Sequence, residues 1–123
     1  MRRLTKREEE IMTILWDNKA LYVKEIIGML PGAPPHYNTI STIVRGLEEK
    51  GFIDHEQFGN TYRYFAKISK EEYSKGTLKD FISKYFNRSY SSVVSMFVEE
   101  HEITTEEIKA LIKQVEEGKP KNK

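Results

Sequence analysis

Apolar residues recur along this chain at helical spacing in six separate stretches. Ile11, Ile14 and Leu15, widened by Met12 and Trp16, form the first stripe, and Val23, Ile26, Ile27 and Leu30 form the second. Ile40, Ile43, Val44 and Leu47 fall at i, i+3, i+4, i+7 and line one side of a third helix. A different pattern follows, in which Phe52 to Phe65 reads as a hairpin. Gly59-Asn60 supplies two positive-φ residues for its tight turn, and Tyr62, Tyr64 and Phe65 favour the returning strand. Helical spacing then resumes with Leu78, Phe81, Ile82, Tyr85 and Phe86, with Val93, Val94, Phe97 and Val98, and with Ile108, Leu111, Ile112 and Val115.

Start and stop signals frame these stripes. Thr5…Glu8, Ser69…Glu72 and Thr104…Glu107 each have capping-box spacing, in which hydroxyl and carboxylate satisfy each other's backbone N–H groups. Asp17-Asn18-Lys19, Pro31-Gly32, Gly51, Asn87-Arg88-Ser89 and Gly118 mark the ends, and Ala33-Pro34-Pro35 makes a stiff connector. The expected fold is mostly α with a small β-hairpin. A winged helix-turn-helix domain over residues 1–68 precedes a helical dimerisation region over 69–118, and residues 119–123 form a disordered tail.

The polar side of the third helix carries the functional signal. Opposite its apolar stripe stand Asn38, Ser41, Thr42 and Arg45, with only Glu48 and Glu49 near the end. Short hydrogen-bonding side chains beside one Arg suit base edges and phosphates, whereas an ordinary solvated face is richer in Lys and Glu. A helix that ends at Gly and runs directly into a hairpin is the sequence form of a winged helix, so this surface is expected to read duplex DNA. Asn60 and Arg63 on the hairpin, with Arg2, Arg3 and Arg7 near the amino terminus, are expected to add backbone contacts. For Arg63, pairing with Asp54 or Glu56 across the hairpin is an equal alternative.

Charge and composition narrow the classes. Twenty Lys and Arg against nineteen Asp and Glu leave a net charge of +1, so any affinity for DNA must come from local placement. The absence of cysteine excludes disulfides, thiolate metal sites and cysteine nucleophiles. No apolar run approaches the roughly 20 residues that span a bilayer, and the charged amino terminus does not resemble a signal peptide. A soluble cytoplasmic protein, without direct membrane insertion, is the expectation. The carboxylates form caps and surface runs, and no nucleophile–base spacing or Gly-rich phosphate loop occurs, so no enzyme is expected. His36, His55 and His101 are too scattered for a ligand pattern, and neither a metal nor a cofactor is expected. Trp16 belongs to the core or a domain junction. Lys24 stands beside Glu25 and reads as either a DNA contact or a solvated pair.

Three short helices in about 55 residues bury too little surface to stand alone. Their apolar residues Leu78, Phe81, Ile82, Tyr85, Phe86, Val94, Phe97, Val98, Ile108, Leu111, Ile112 and Val115 therefore need a partner surface, either the first domain or, the preferred expectation, a second copy. Two-fold symmetry in the protein matches two half-sites on DNA.

These pieces together resemble the penicillinase-repressor family, the BlaI/MecI type of winged-helix repressor. The resemblance rests on Glu9-Glu10-Ile11-Met12-Thr13-Ile14-Leu15-Trp16, Val23-Lys24-Glu25-Ile26, the run from Asn38 to Leu47 with Lys50-Gly51, Gly59-Asn60-Thr61-Tyr62-Arg63-Tyr64, and Phe97-Val98-Glu99-Glu100. It implies a homodimer, held by its carboxy-terminal helices, that blocks transcription from an inverted-repeat operator. It also implies DNA contacts from Thr39 and Thr42. The resemblance further implies that release can follow proteolysis of the carboxy-terminal helices, downstream of a membrane sensor protease. Familiar members are cut between Asn and Phe, and the matching pair here is Met96-Phe97. Basic residues frequent in the family at the places of Asn38 and Ser41, and an Arg at that of Gly46, are absent, which predicts fewer phosphate contacts from this helix. The paired cysteines of a copper-responsive branch are absent too. The rival expectation is a winged-helix protein-interaction module without DNA binding, consistent with the near-neutral charge and with Glu48-Glu49.

Overall fold

A computed structural model describes residues 3–118, in the order α1 (Lys6–Asp17), β1 (Leu21–Tyr22), α2 (Val23–Met29), α3 (Tyr37–Glu49), β2 (Ile53–Phe58), β3 (Thr61–Ala66), α4 (Lys70–Phe86), α5 (Tyr90–Glu99) and α6 (Thr105–Glu116). The chain divides into two compact units between Thr77 and Leu78. The fold is mostly helical with a small antiparallel sheet, as the periodicity predicts. Arg2 and the tail 119–123 lie outside the described residues.

In the first unit, Ile11, Met12 and Leu15 of α1, Val23 and Ile26 of α2, and Ile40, Val44 and Leu47 of α3 meet in one core with Phe52, Ile53 and Tyr64. Ile14, Trp16, Ile27 and Ile43 pack at its margin. The Thr5–Glu8 capping box opens α1, and the equivalent pairs Ser69–Glu72 and Thr104–Glu107 open α4 and α6.

The end of α3 fixes the direction of the wing. Gly51 takes φ +87°, its N–H donates to the Glu48 carbonyl, and the Phe52 N–H donates to the Leu47 carbonyl. This paired 5→2 and 6→1 arrangement terminates the helix through a left-handed glycine. It also turns Phe52 into the core beside Leu47 and starts β2.

The sheet has order β1–β3–β2 and is antiparallel throughout. The hairpin register pairs Phe58 with Thr61 around Gly59-Asn60. Only Gly59 there adopts positive φ, at +61°. Asn60 does not, which corrects the expectation of two such residues; a glycine at the first turn position alone can reverse the chain. A third strand adds Leu21 opposite Tyr64 and Tyr22 opposite Arg63, so the wing is three-stranded and not a lone hairpin.

The first unit also extends past Lys67 into α4. Tyr73 is buried, its hydroxyl accepts the Leu4 N–H at 3.0 Å, and its ring lies 5.8 Å from Trp16 and 6.0 Å from Phe52. Trp16 donates its indole N–H to the Ile68 carbonyl at 2.8 Å, which gives it the core-margin role expected of it.

The second unit leaves much of its apolar surface open. Leu78, Phe81, Tyr85, Val94, Phe97, Leu111, Ile112 and Val115 are exposed, and Phe86, Val98 and Ile108 are partly covered. Ile82 departs from the surface role expected of it, since it is 6% exposed and already buried within the chain. α5 ends with the same paired hydrogen bonds as α3, but with His101 at φ +62° in the glycine position.

Candidate nucleic-acid interface

α3 buries its apolar stripe and turns its polar flank to solvent. Asn38, Thr39, Thr42 and Arg45 are exposed and Ser41 is half-buried. The hydroxyls of this flank are tied to their own helix. Thr42 donates to the Asn38 carbonyl at 2.9 Å, and Arg45 donates to Ser41 Oγ at 2.8 Å and to Thr42 Oγ1 at 3.4 Å. Those contacts lay the guanidinium along the preceding turn. Among the described residues no carboxylate pairs with Arg45, and the Asn38 side-chain amide has no hydrogen-bond partner. Asn38 keeps its amide donors available, and Arg45 keeps the guanidinium N–H groups not given to Ser41 and Thr42.

A groove of about 670 Å³ runs between α3, the start of α2 and the wing. Asn38, Ser41 and Arg45 line its α3 side and Asn60 its wing side, so four expected contact residues face one open space. Thr39 and Thr42 lie outside the groove lining, on exposed positions of the same helix. The sequence reading missed Tyr22, Tyr37, Thr61, Tyr62 and Tyr64 here. For Tyr22, Tyr62 and Tyr64, a tyrosine at a strand position signals propensity equally well on either face, so the pattern did not mark them. Lys24 also lines the groove and forms no ion pair with Glu25, whose carboxylate instead accepts the Tyr22 N–H at 2.9 Å.

Of the other expected cations, Arg63 and Arg7 are engaged elsewhere. Arg63 stands opposite Glu56, with Nη2 3.5 Å from Glu56 Oε1 and its guanidinium 4.4 Å over the Phe58 ring. The cross-strand contact named as one alternative is present in this structure. Arg7 pairs with Glu10 on α1 at 3.0 Å, and neither Arg7 nor exposed Arg3 lines the groove.

Electrostatics change along α3. Lys50, just past its end, donates to the buried Glu8 of α1 at 2.6 Å. Burial raises the Glu8 pKa, but the bond from Lys50 and those from Thr5 outweigh it and hold the carboxyl below its ordinary value. Glu48 Oε2 meets His55 Nδ1 at 2.5 Å, and Asp54 lies beside them. Burial, followed by the charge of Glu48, pushes the Tyr64 hydroxyl up, with Arg45 opposing. Of the three histidines expected to stay scattered, His55 alone joins two carboxylates among the described residues.

A helical triad with a partly buried third helix, an exposed polar flank and an adjacent sheet defines a winged-helix regulator. The sequence matches the penicillinase repressor family over residues 4–117, and the chain belongs to that family of transcriptional repressors. It is 31% identical to the methicillin resistance regulatory protein MecI of Staphylococcus aureus (strain N315), covering 88% of this chain and 89% of that protein. It is 26% identical to the penicillinase repressor of Bacillus licheniformis, covering 98% and 95%. The complex structure of hsRosR-S4 superimposes with a TM-score of 0.55 at 20% identity, over 81% of this chain and 90% of that one, a likeness of fold. Among the described residues no helix is long and apolar enough to cross a membrane.

Proposed function

We propose that the protein is a homodimeric repressor that binds an inverted-repeat operator in double-stranded DNA. The observation that carries this reading is the solvent-facing flank of α3, continuous with the wing tip across one groove. Each protomer lays α3 in the major groove. Asn38 suits bidentate pairing with adenine, Arg45 reaches guanine or phosphate, and Thr39 or Thr42 meets a thymine methyl or the backbone. Lys24 and Asn60 flank this helix and contact phosphates, with Arg2, Arg3 and Arg7 adding charge from the amino terminus. Arg63 contributes by holding the hairpin in register with Glu56.

The exposed apolar residues of α4 to α6 form the dimer surface. Pairing through it places two reading helices on linked half-sites, so the second binds at high effective concentration. Met96 and Phe97 are both 38% exposed on α5. A protease acting under a membrane sensor that cut there would divide this surface and release the operator.

A duplex from upstream of the gene, titrated by fluorescence anisotropy over a salt series, tests the DNA reading. Specific affinity falls as salt rises, with a log–log slope of about −0.9 for each phosphate neutralised. Absence of binding at low salt would instead favour a winged-helix interaction module, the role that Glu48-Glu49 and the near-neutral charge suit.

A further inference from the structure

Three metal-capable side chains meet where α3 gives way to the wing. Glu48 comes from the last turn of α3, and Asp54 and His55 are neighbours on β2. Each offers one ligand atom, and these atoms all lie within 4.8 Å of one another. Glu48 and His55 are partly withdrawn from water, with side-chain exposures of 26% and 33%, while that of Asp54 is 49%.

Charge is unbalanced at this point. Among the described residues, His55 is the only cationic group within 4 Å of either carboxylate. An imidazole supplies at most one positive charge, and only while protonated. Two carboxylates therefore face at most one positive charge, and the His55 ring lies 5.9 Å from that of Tyr64, which lines the groove. The Tyr62 ring lies 4.3 Å from the imidazole and braces it from β3.

We propose that Glu48, Asp54 and His55 form a site for one divalent transition cation, Zn²⁺ or Mn²⁺, that ties the reading helix to the wing and raises affinity for DNA. One imidazole and two carboxylates suit these borderline and hard ions, whereas Cu⁺ prefers sulfur ligands that the chain lacks. Donors about 2.0–2.2 Å from a shared ion lie roughly 3–3.5 Å apart, so side-chain movements of about 1 Å convert the present spacing into coordination. The Glu48–His55 hydrogen bond gives way to metal–ligand bonds from both side chains, with the imidazole binding in its neutral form through one ring nitrogen and keeping its N–H on the other. Water completes the coordination. The ion places two positive charges behind Tyr62 and Tyr64 of the DNA-facing groove, and this consequence rests on the DNA reading above.

Metal binding is measured first without DNA. Isothermal titration of the full chain with ZnCl₂ and MnCl₂, with MgCl₂ as reference, is expected to show one ion per chain for Zn²⁺ or Mn²⁺. His55→Ala and Asp54→Asn, each checked for a native circular dichroism spectrum and cooperative melt, are expected to weaken binding at least about tenfold. A signal no stronger than that of MgCl₂, or equal binding by folded variants, overturns the site and leaves an ordinary ion pair. Anisotropy with duplex DNA follows, where the ion is expected to tighten binding several-fold in the wild type alone. Intact metal binding with unchanged DNA affinity overturns the coupling. Metal binding by a chain that ignores DNA under all conditions supports the site and overturns the DNA reading.

Discussion

Arg45 begins the polar flank's work already oriented. Its guanidinium rests on Ser41 and Thr42, and no described carboxylate competes for it. A side chain held in place loses less rotamer freedom on binding than one free in solvent. Arg45→Ala is expected to weaken specific DNA binding by about 1–3 kcal/mol and to relax sequence preference at one base position. Anisotropy with the native duplex and a set of single-base variants checks this; unchanged affinity and preference would remove Arg45 from the interface. Its place on the polar side was visible in the spacing. Its partners were visible only in part, because i, i+3 and i, i+4 neighbours follow from helix geometry while rotamers do not.

At the scale of elements, α3 is fixed at both its face and its end. Its apolar stripe enters the core, the left-handed Gly51 turns the chain, and the Lys50–Glu8 bond ties this corner to α1. Because the Glu8 pKa is lowered on folding, its contribution is present above the ordinary value of 4.5 and is lost as pH falls through the folded value. Glu8→Gln is therefore expected to cost about 2 kcal/mol near neutrality. The gap from wild type should shrink in acid, as followed by urea unfolding at pH 7 and pH 3. A gap independent of pH would show that the charge of Glu8 contributes nothing to folding. The capping boxes and the glycine stop were readable because each needs only residues close in sequence. β1 was not, since two residues carry no measurable periodicity and only pairing with β3 makes them a strand.

At the scale of the whole molecule, the open apolar surface of the second unit is the face the proposed dimer would cover. Phe81 and Tyr85 lie 4.7 Å apart and are 47% and 59% exposed, a large aromatic area for a face turned to water. Phe81→Asp places a charge in that area and is expected to yield monomers in sedimentation velocity, with operator affinity falling in step. A fully dimeric variant would count against these helices as the interface. Ile82 is a poor choice for the same test. It is buried within the chain, so its replacement would confuse folding with association.

The sequence by itself determined the six helical stripes, the hairpin, the outward polar flank of α3 and the family, because each depends on local periodicity or on ordered short motifs. Tertiary structure alone decided which side chains face one another across elements. It drew four tyrosines and Lys24 into the groove, committed Arg63 to Glu56, sent Tyr73 into the core of the first unit, and brought His55 of β2 to Glu48 of α3. Such meetings follow from how the helix and strands pack, and the linear order of residues does not encode that distance directly.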